Sequence, residues 1–441
     1  MTRIKIIGAG LAGCEAAYQL AKRGLEVELW EMKPQKFSPA HHYEGFGELV
    51  CSNSLRSDSL TNAVGLLKEE MRRLDSLILR AADATRVPAG GSLAVDRYGF
   101  SDYITKEIRN HPGIEVKNGE VTELSTNEPT ILATGPLTSE PMAETVSRLI
   151  GGQSLSFYDA AAPIVTKGSI DFDIAFCASR YNKGEADYIN CPMNREQYES
   201  FYRALVEAER APLHGFEDSK VFEGCMPVEV MARRGEMTLA FGPMKPVGIY
   251  NPKTGRDDFY AVVQLRQDNQ EGSLYNLVGF QTNLKFGEQK RVFSMIPGLE
   301  HAEFVRYGVM HRNTYINSTK LLNSAYQMRE YPNLYFAGQI TGVEGYIESA
   351  GSGLCAGVQM AQMLCGREFI DFTRQTVLGA MAYYVSDRTV TDFQPMNANF
   401  GIVEPLESRV RNKKERYGAI AERSLQKIEQ LKNRINGRQE E

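Results

Sequence analysis

The chain has 441 residues, of which 42% are hydrophobic and 24% charged, and its formal net charge is −5. The composition is that of an ordinary water-soluble protein, and the length predicts two domains. The negative charge argues against a protein that coats nucleic acid by overall charge, although it permits a local basic patch. No run of about 18 apolar residues occurs, so no membrane span is expected.

The seven cysteines are few for a chain of this length. They form no C-x-x-C pair and share no zinc-like spacing with the six histidines, so neither a disulfide framework nor a metal site is predicted. Free thiols favour a reducing, cytoplasmic location. The apolar start of the chain is short and is broken by glycines, which argues against a signal peptide.

The segment "RIKIIGAGLAGCEAAYQLAKRGLEVELWEMK" at residues 3–33 predicts a strand, a glycine turn, a helix and a second strand. Its glycines have the G-x-G-x-x-G spacing that lets a dinucleotide pyrophosphate approach a helix N-terminus. Glu31 lies about 20 residues beyond the turn, where an acid binds ribose hydroxyls. The turn residues predicted to bind the cofactor are Gly8, Ala9, Gly10, Leu11, Ala12 and Gly13.

Two later segments repeat the pattern of a strand followed by glycines. "PTILATGPL" covers residues 129–137, and "NLYFAGQITGVEGYIESAGSGLCAGVQMA" opens a predicted helix near Ser349. In flavoproteins of this organisation, such a late segment passes beside the flavin ring, so FAD is favoured over NAD as the tightly bound cofactor. The cofactor-binding residues predicted in these two segments are Thr134, Gly135, Gly338, Gly342 and Tyr346.

The nucleotide-binding part is therefore predicted to be split in sequence. Residues 1–155 form its first part, residues 156–301 form an insertion domain, and residues 302–441 form its second part with C-terminal helices. The insertion alternates strand-like runs such as "DFYAVVQLRQ" with the helical "NREQYESFYRALVEAER". The predicted fold class is α/β, a two-domain flavoprotein with a split Rossmann-like FAD-binding domain and a mixed α/β insertion domain.

The tail from Asn412 predicts an amphipathic helix that is rich in lysine and arginine. Two interpretations stay open, a solvated outer helix and an RNA-facing surface. The apolar positions of this helix are Ile420, Leu425, Ile428 and Leu431.

Several long blocks are more specific than the glycine motif. They include "LVCSNSLRSDSLTNAVGLLKEEMR", "YNKGEADYINCPM", "FEGCMPVEVMARRGEMTLAFGPMKPVG", "GVMHRNTYINS" and "FAGQITGVEGYIESAGSG". Together with the first glycine turn they extend from residue 8 to residue 353. The chain resembles the folate- and FAD-dependent tRNA (uracil-5-)-methyltransferase family in these blocks. It departs at Thr319, where the family pattern has proline.

The resemblance implies an activity and its cofactors. The methylene carbon of 5,10-methylenetetrahydrofolate would pass to C5 of a uridine in the tRNA T-loop, and FADH2 would reduce it to methyl, giving 5-methyluridine. NAD(P)H would be the reductant, bound transiently. C5 of uracil is a poor nucleophile until a thiolate adds at C6, and a base must then remove the C5 proton.

Two cysteines fit these roles by resemblance. Cys225 is predicted to be the nucleophile on C6, and Cys51 the second thiol, which acts as base or shields the flavin methylene. The two roles are open to exchange. A free thiol titrates near pH 8.5, so Cys225 needs a neighbouring cation or dipole. The other five cysteines are interpreted as inert.

Substrate contacts are predicted from charge and ring chemistry. RNA must be held through its phosphates, and Arg233, Arg234 and Lys245 are candidates in the insertion. His311 and Arg312 are candidates for a carboxylate or phosphate, with a structural role equally open. Tyr346 is a candidate for stacking on pterin or uracil, with core packing as the alternative. A flipped uridine is expected, because C5 and C6 are inaccessible in a stacked loop.

Three alternatives to tRNA methylation are open from sequence. The same chemistry can act on ribosomal RNA, and the residues of the site do not distinguish the two RNAs. A small-molecule flavin oxidoreductase is the second alternative, and the missing C-x-x-C argues against a disulfide reductase. A non-catalytic flavin-binding module would leave the two thiol blocks without a purpose. No obligate protein partner is predicted.

Overall fold

The computed structural model describes residues 3–152, 154–182, 185–211, 226–308, 310–391 and 393–435. Its strands are β1 Ile4–Ile7, β2 Val27–Glu31, β3 Ser54–Ser57, β4 Arg86–Val87, β5 Ser92–Val95, β6 Ile114–Asn118, β7 Thr130–Leu132, β8 Ser154–Ala160, β9 Ile164–Thr166, β10 Phe176–Cys177, β11 Tyr188–Met193, β12 Ala261–Gln267, β13 Leu274–Leu277, β14 Phe304–Arg306, β15 Met310–Ile316 and β16 Leu334–Phe336. Its helices are α1 Leu11–Ala21, α2 Ala63–Arg73, α3 Leu77–Ala84, α4 Arg97–Asn110, α5 Glu140–Leu149, α6 Arg195–Glu207, α7 Val228–Arg233, α8 Thr238–Phe241, α9 Phe286–Phe293, α10 Ser318–Leu321, α11 Tyr346–Leu364, α12 Val377–Tyr384 and α13 Lys413–Ile435.

A five-stranded sheet joins the two ends of the sequence. Its order is β16-β7-β1-β2-β6, and all four strand pairs are parallel. Parallel strands buried on both faces are largely apolar, and in β1 the three isoleucines Ile4, Ile6 and Ile7 are buried. Because β16 lies beside β7, the predicted α/β fold with a split Rossmann-like part is confirmed. The boundaries at residues 155 and 301 remain predictions.

Helices α1 and α11 pack closely because small residues face each other. A Cβ on Gly353 would lie 2.2 Å from the Ala12 carbonyl oxygen, and one on Gly357 would lie 2.9 Å from that of Ala16. Larger side chains at these glycines would push the two helices apart. The packing sets the starts of both helices beside the carboxyl ends of β1 and β16, which is where ligands bind in such sheets.

A second sheet has six strands in the order β10-β11-β12-β13-β9-β14, all antiparallel. Strands β9 to β13 lie in the predicted insertion, and β14 follows its predicted end. The core against this sheet includes Tyr198 and Phe201 of α6, Phe293 of α9, and Phe280. A separate antiparallel ribbon pairs β8 with β15, and through it the chain enters and leaves the insertion. The mixed α/β character predicted for this region is confirmed.

The tail forms α13, and its predicted apolar stripe is buried against the nucleotide-binding part. Glu70 on α2 links three helices there. Its carboxylate accepts the backbone N–H groups of Val377 and Leu378 at 2.7 and 2.9 Å, and the Ser424 hydroxyl at 2.5 Å. Within the described ranges, no helix is long and apolar enough to cross a membrane.

Candidate active site

The glycine turn after β1 uses its three glycines for different reasons. A Cβ on Gly8, whose φ is +102°, would lie 2.6 Å from the Ala133 carbonyl oxygen, and one on Gly13 would lie 1.8 Å from that of Gly8. These two glycines are required by close packing within the protein. A Cβ on Gly10 would meet no protein atom within 4 Å, because that position faces an open cleft. Gly10 is therefore the glycine that leaves room for a ligand.

We call this space the cofactor cleft. It encloses about 1080 Å³, part of it open to solvent. Of the twelve predicted cofactor-binding residues, the ten that line the cleft are Gly8, Ala9, Gly10, Leu11, Ala12, Glu31, Thr134, Gly135, Gly338 and Tyr346.

The two remaining predicted residues, Gly13 and Gly342, are glycines because other parts of the protein pack closely against them. Gly13 allows α1 to approach the turn, as described above. Gly342 has a φ of +83°, and a Cβ there would lie 2.4 Å from the Phe393 ring. The position is filled by an aromatic side chain from a distant segment, which the local sequence could not reveal.

Glu31 closes the cofactor cleft where β2 ends. Its Oε2 accepts the Ala9 backbone N–H at 2.8 Å, and its Oε1 accepts that of Lys33 at 3.0 Å. The carboxylate thus fixes the glycine turn to the next strand while it lines the cleft.

The cleft fits a dinucleotide with a pyrophosphate and an aromatic base. Helix α1 begins after Gly10, which offers no side-chain cap, so its first N–H groups are left for an anion. The buried Nε1 of Trp30, a residue lining the cleft, has no hydrogen-bond partner among the described residues. A flavin adenine dinucleotide carries hydrogen-bond acceptors of the kind that these donors lack.

A second space, which we call the thiol cleft, adjoins the first and encloses about 1470 Å³, part of it open to solvent. Cys51 lines it, together with Arg266 and Asn276 from the insertion sheet. The residues that line both clefts are Val50, Pro136, Leu137, Gln339 and Tyr346. A ligand that fills either cleft therefore contacts the wall that the two clefts share.

Cys51 contacts Tyr346 at this shared wall. The Tyr346 hydroxyl oxygen accepts the Cys51 backbone N–H at 2.9 Å and lies 3.0 Å from the Cys51 sulfur. Burial raises the pKa of Tyr346 well above its usual value, and the neighbouring Cys51 adds to the effect. The phenol therefore stays protonated at neutral pH and can donate its hydrogen to the sulfur.

Arg266 on β12 anchors the residues that follow Cys51. Its Nη2 donates to the Ser52 hydroxyl at 2.7 Å, and its Nε donates to the Asn53 side-chain oxygen at 3.2 Å. Burial lowers the pKa of Arg266, but a guanidinium remains charged at neutral pH. This charge and the Cys51 thiolate attract each other.

Arg97 at the start of α4 anchors the residues that precede Cys51. It donates to the Leu49 carbonyl and pairs with both carboxylate oxygens of Asp268 at 2.9 and 3.2 Å. Burial alone would lower the pKa of Arg97, but the Asp268 carboxylate outweighs burial and raises it. Arg97 and Arg266 thus hold the residues on either side of Cys51.

The other predicted catalytic thiol, Cys225, lies outside the described residues. The five remaining cysteines differ from Cys51 in their surroundings. Burial raises the thiol pKa of Cys14, Cys191 and Cys355, which is typical of inert cysteines. Cys177 and Cys365 are exposed.

The predicted substrate residues are placed less centrally. Arg233, Arg234 and Lys245 are exposed on the insertion, and none is among the described residues that line the two clefts. Arg233 donates to the Val206 carbonyl at 3.0 Å. The side chains of His311 and Arg312 lie outside the described part of the structure.

Sequence reasoning missed several residues that line the thiol cleft or hold the Cys51 segment. Arg97, Arg266 and Asn276 were not predicted, and Arg56 also lines this cleft with a φ of +63° and an ion pair to Glu348. The one available signal was "VVQLRQDN", a block that contains both Arg266 and Asp268.

Comparisons with known proteins show the family to which this chain belongs. The family model "Glucose inhibited division protein A" matches residues 3–368. The methylenetetrahydrofolate--tRNA-(uracil-5-)-methyltransferase TrmFO of Lactococcus lactis is 59% identical over 99% of both chains. The protein of the same name from Streptococcus suis is 59% identical over 98% of this chain and 99% of its own.

Among solved structures, GidA of Aquifex aeolicus matches 99% of this chain and 75% of its own with a TM-score of 0.70. At 17% identity, this likeness shows the fold alone. The fold and the cofactor cleft define a Rossmann-type flavoprotein whose nucleotide-binding part is split by an insertion. The chain belongs to the methylenetetrahydrofolate--tRNA-(uracil-5-)-methyltransferase family, a membership that its sequence blocks predicted and the comparisons confirm.

Proposed function

We propose that this protein transfers the methylene carbon of 5,10-methylenetetrahydrofolate to C5 of a uridine in the T-loop of tRNA and delivers it as a methyl group. The observation that carries the proposal is the position of Cys51, which lies in the thiol cleft at the wall shared with the cofactor cleft. The names of the relatives support the donor, the RNA and the carbon that is methylated.

The cofactor cleft is the proposed site of FAD. The turn from Gly8 to Gly13 would hold the pyrophosphate, Glu31 the ribose, and Gly338 would allow the flavin to approach β16. Bound FAD, reduced by NAD(P)H, supplies the two electrons that convert the transferred methylene to methyl. The protein's own part is to hold the cofactor next to the thiol cleft and to exclude water between them.

The thiol cleft is the proposed site of the uracil ring. A thiolate adds to C6, and the electron pair displaced from the C5–C6 bond makes C5 nucleophilic. C5 then bonds to the methylene carbon as one of that carbon's two bonds to folate nitrogen breaks. A base removes the C5 proton as the second carbon–nitrogen bond breaks, which releases tetrahydrofolate and leaves an exocyclic methylene at C5. Addition of a hydride to this methylene, with the two electrons that reduced flavin would supply, and elimination of the thiolate from C6 would then restore the C5–C6 double bond. We assign addition at C6 to Cys225 and the second thiol role to Cys51.

The surroundings of Cys51 support a role in moving the proton. Its sulfur lies 3.0 Å from the Tyr346 hydroxyl, and the cations Arg97 and Arg266 hold the residues on either side of it. A thiolate in such a place can take the proton from C5, and the tyrosine hydroxyl can steady the sulfur before and after transfer.

The RNA would be held outside the two clefts. Exposed cations on the insertion, including Arg233, Arg234 and Lys245, are proposed to bind its phosphates. The target uridine must leave its stack to place C5 and C6 in the thiol cleft. This activity belongs with the tRNA pool of the cytoplasm, where we propose that the protein acts.

An RNA with 5-fluorouridine at the target tests the thiol chemistry. Fluorine cannot leave C5 as a cation, so the adduct at C6 should accumulate and survive denaturing electrophoresis. Cys225→Ala should abolish the adduct while FAD stays bound, and Cys51→Ala should lose methylation. An adduct with Cys225→Ala but not with Cys51→Ala would exchange the two roles, and an adduct with both variants would exclude cysteine as the nucleophile.

A further inference from the structure

The side-chain amide of Asn276 on β13 is buried, and its nitrogen makes no hydrogen bond to the described residues. It is 2% exposed, and its Nδ2 has no partner among the described residues. Asn276 nevertheless lines the thiol cleft. Burial of an unsatisfied amide is unfavourable, so native proteins rarely keep one without a functional reason.

A neighbouring asparagine shows how the same sheet satisfies an amide that has a structural role. Asn190 on β11 is also fully buried, but its Nδ2 lies within hydrogen-bond distance of three carbonyl oxygens, at 3.0 to 3.3 Å. Its side-chain oxygen accepts from Gln264 at 2.9 Å. Asn190 does not line either cleft among the described residues. The contrast separates an amide that supports the fold from one that faces a ligand site.

Asn276 lies beside Arg266, which anchors the residues that follow Cys51. It is directly paired across the strands with Arg266, so the two side chains lie on the same face of the sheet. Arg266 in turn donates to Ser52, which follows Cys51 in sequence. A second buried amide, Asn313 on β15, lines the same cleft and is 3% exposed.

We propose that Asn276 recognises the lactam edge of a six-membered ring in the thiol cleft, an N–H group next to a carbonyl. This proposal rests on the function proposed above and adds a specificity-determining residue to it. A primary amide offers one donor and one acceptor side by side, which complements a lactam. Rotation about the terminal torsion lets either atom face the cleft.

Two ligands of the proposed reaction carry this group. The uracil ring has N3–H beside the C4 carbonyl, and the pterin ring of the folate has the same pair. A ring with an apolar edge in place of this pair would leave the buried amide unsatisfied, and sites of this kind reject such analogues strongly.

Asn276→Leu tests the proposal, because leucine has a similar shape and no polar atoms. The binding of tetrahydrofolate and of a T-arm RNA hairpin to the FAD-loaded protein should be measured separately. We expect the variant to melt at the same or a higher temperature than the wild type, since an unsatisfied amide is removed. Affinity for one or both ligands should fall about ten-fold or more, the loss of one buried hydrogen bond.

Asn190→Leu is the matched control and should lower the melting temperature while leaving both affinities of the folded protein unchanged. If only folate binding weakens, Asn276 recognises the pterin ring, and if only RNA binding weakens, it recognises the uracil ring. If both weaken, Asn276 recognises the lactam edge of both rings. A variant at Asn276 that binds both ligands as tightly as wild type, or that loses stability as Asn190→Leu does, would overturn the inference. Asn276→Ala repeats the test with a smaller side chain. A wild-type protein that binds neither ligand would overturn the proposed function itself.

Discussion

The Tyr346 hydroxyl lies 3.0 Å from the Cys51 sulfur and accepts the Cys51 backbone N–H at 2.9 Å. Tyr346 is the first residue of α11, while Cys51 lies in a loop 295 positions earlier in the sequence. Because the tyrosine oxygen accepts from the backbone, its own hydrogen is available to the sulfur. The start of the helix next to the cofactor cleft thus holds the thiol at the entrance of the second cleft.

Tyr346→Phe should make Cys51 less reactive at neutral pH. Loss of one hydrogen bond to a charged group lowers the thiolate fraction roughly ten-fold, and the higher intrinsic nucleophilicity of the remaining thiolate recovers part of this. The expected net result is alkylation of Cys51 by iodoacetamide about three-fold more slowly, measured by peptide mass spectrometry. Tyr335 is a buried tyrosine whose hydroxyl, among the described residues, contacts the Met363 sulfur at 3.6 Å. Tyr335→Phe is therefore the control and should not change the rate. Equal rates for Tyr346→Phe and wild type would show that the Tyr346 hydroxyl does not affect the reactivity of Cys51.

Gly10→Ala should reduce FAD binding without loss of stability, whereas Gly13→Ala should lower the stability of the fold. Gly10 has a φ of −76°, which alanine tolerates, and its Cβ would project into the cofactor cleft. We expect Gly10→Ala to fold normally and to purify with much less FAD, as shown by the ratio of flavin to protein absorbance. Gly13→Ala would place its Cβ 1.8 Å from a backbone oxygen and should cost about 1–3 kcal/mol of stability.

Gly91→Ala controls for the substitution itself, since a Cβ there would also meet nothing within 4 Å and the position is outside both clefts. It should keep both FAD and stability. Full FAD content in Gly10→Ala would contradict the placement of the pyrophosphate.

Glu70 should make the stability of the protein depend on pH. Burial raises the pKa of this carboxyl from 4.5 to about 7 in the folded protein. The folded state therefore binds the proton more tightly, and the contribution is fully present below pH 4.5 and is lost as the pH rises through about 7. The shift corresponds to about 3 kcal/mol.

Glu70→Gln removes the titration and should flatten this part of the profile. The comparison is made by urea unfolding at several pH values between 4.5 and 7, the range set by the two pKa values. The amide also loses one acceptor for the N–H groups of Val377 and Leu378, so its absolute stability is lower and only the slope is informative. An identical slope in variant and wild type would show that Glu70 does not titrate in this range.

Local chemistry made the cofactor site predictable. The spacing of Gly8, Gly10 and Gly13 and the acid at Glu31 are fixed by one strand, one turn and one helix, so neighbouring residues contain the information. The start of α11 was expected near Ser349 and lies at Tyr346, because Gly345, with a φ of +115°, ends the preceding turn.

Contacts between distant segments made the thiol cleft unpredictable. Arg266 reaches Ser52 from 214 positions away, and Phe393 fills the space beside Gly342. The first contact depends on how the insertion sheet packs against the nucleotide-binding part, and the second depends on how two segments within that part pack together. No local pattern encodes either. The resemblance identified Cys51 without its surroundings, and Asn276 carried no signal because an isolated asparagine in a strand is unremarkable in sequence.

The most direct test of the account follows a heavy-isotope carbon from the donor to the RNA. The FAD-loaded protein is incubated with unmodified tRNA, NAD(P)H and methylenetetrahydrofolate labelled in the methylene carbon, and the RNA is digested to nucleosides for mass spectrometry. Parallel reactions contain labelled S-adenosylmethionine in place of the folate, or ribosomal RNA in place of tRNA. The account predicts labelled 5-methyluridine from the T-loop of tRNA only when the folate carries the label. Label from S-adenosylmethionine, or no 5-methyluridine with folate, FAD and tRNA all present, would contradict it.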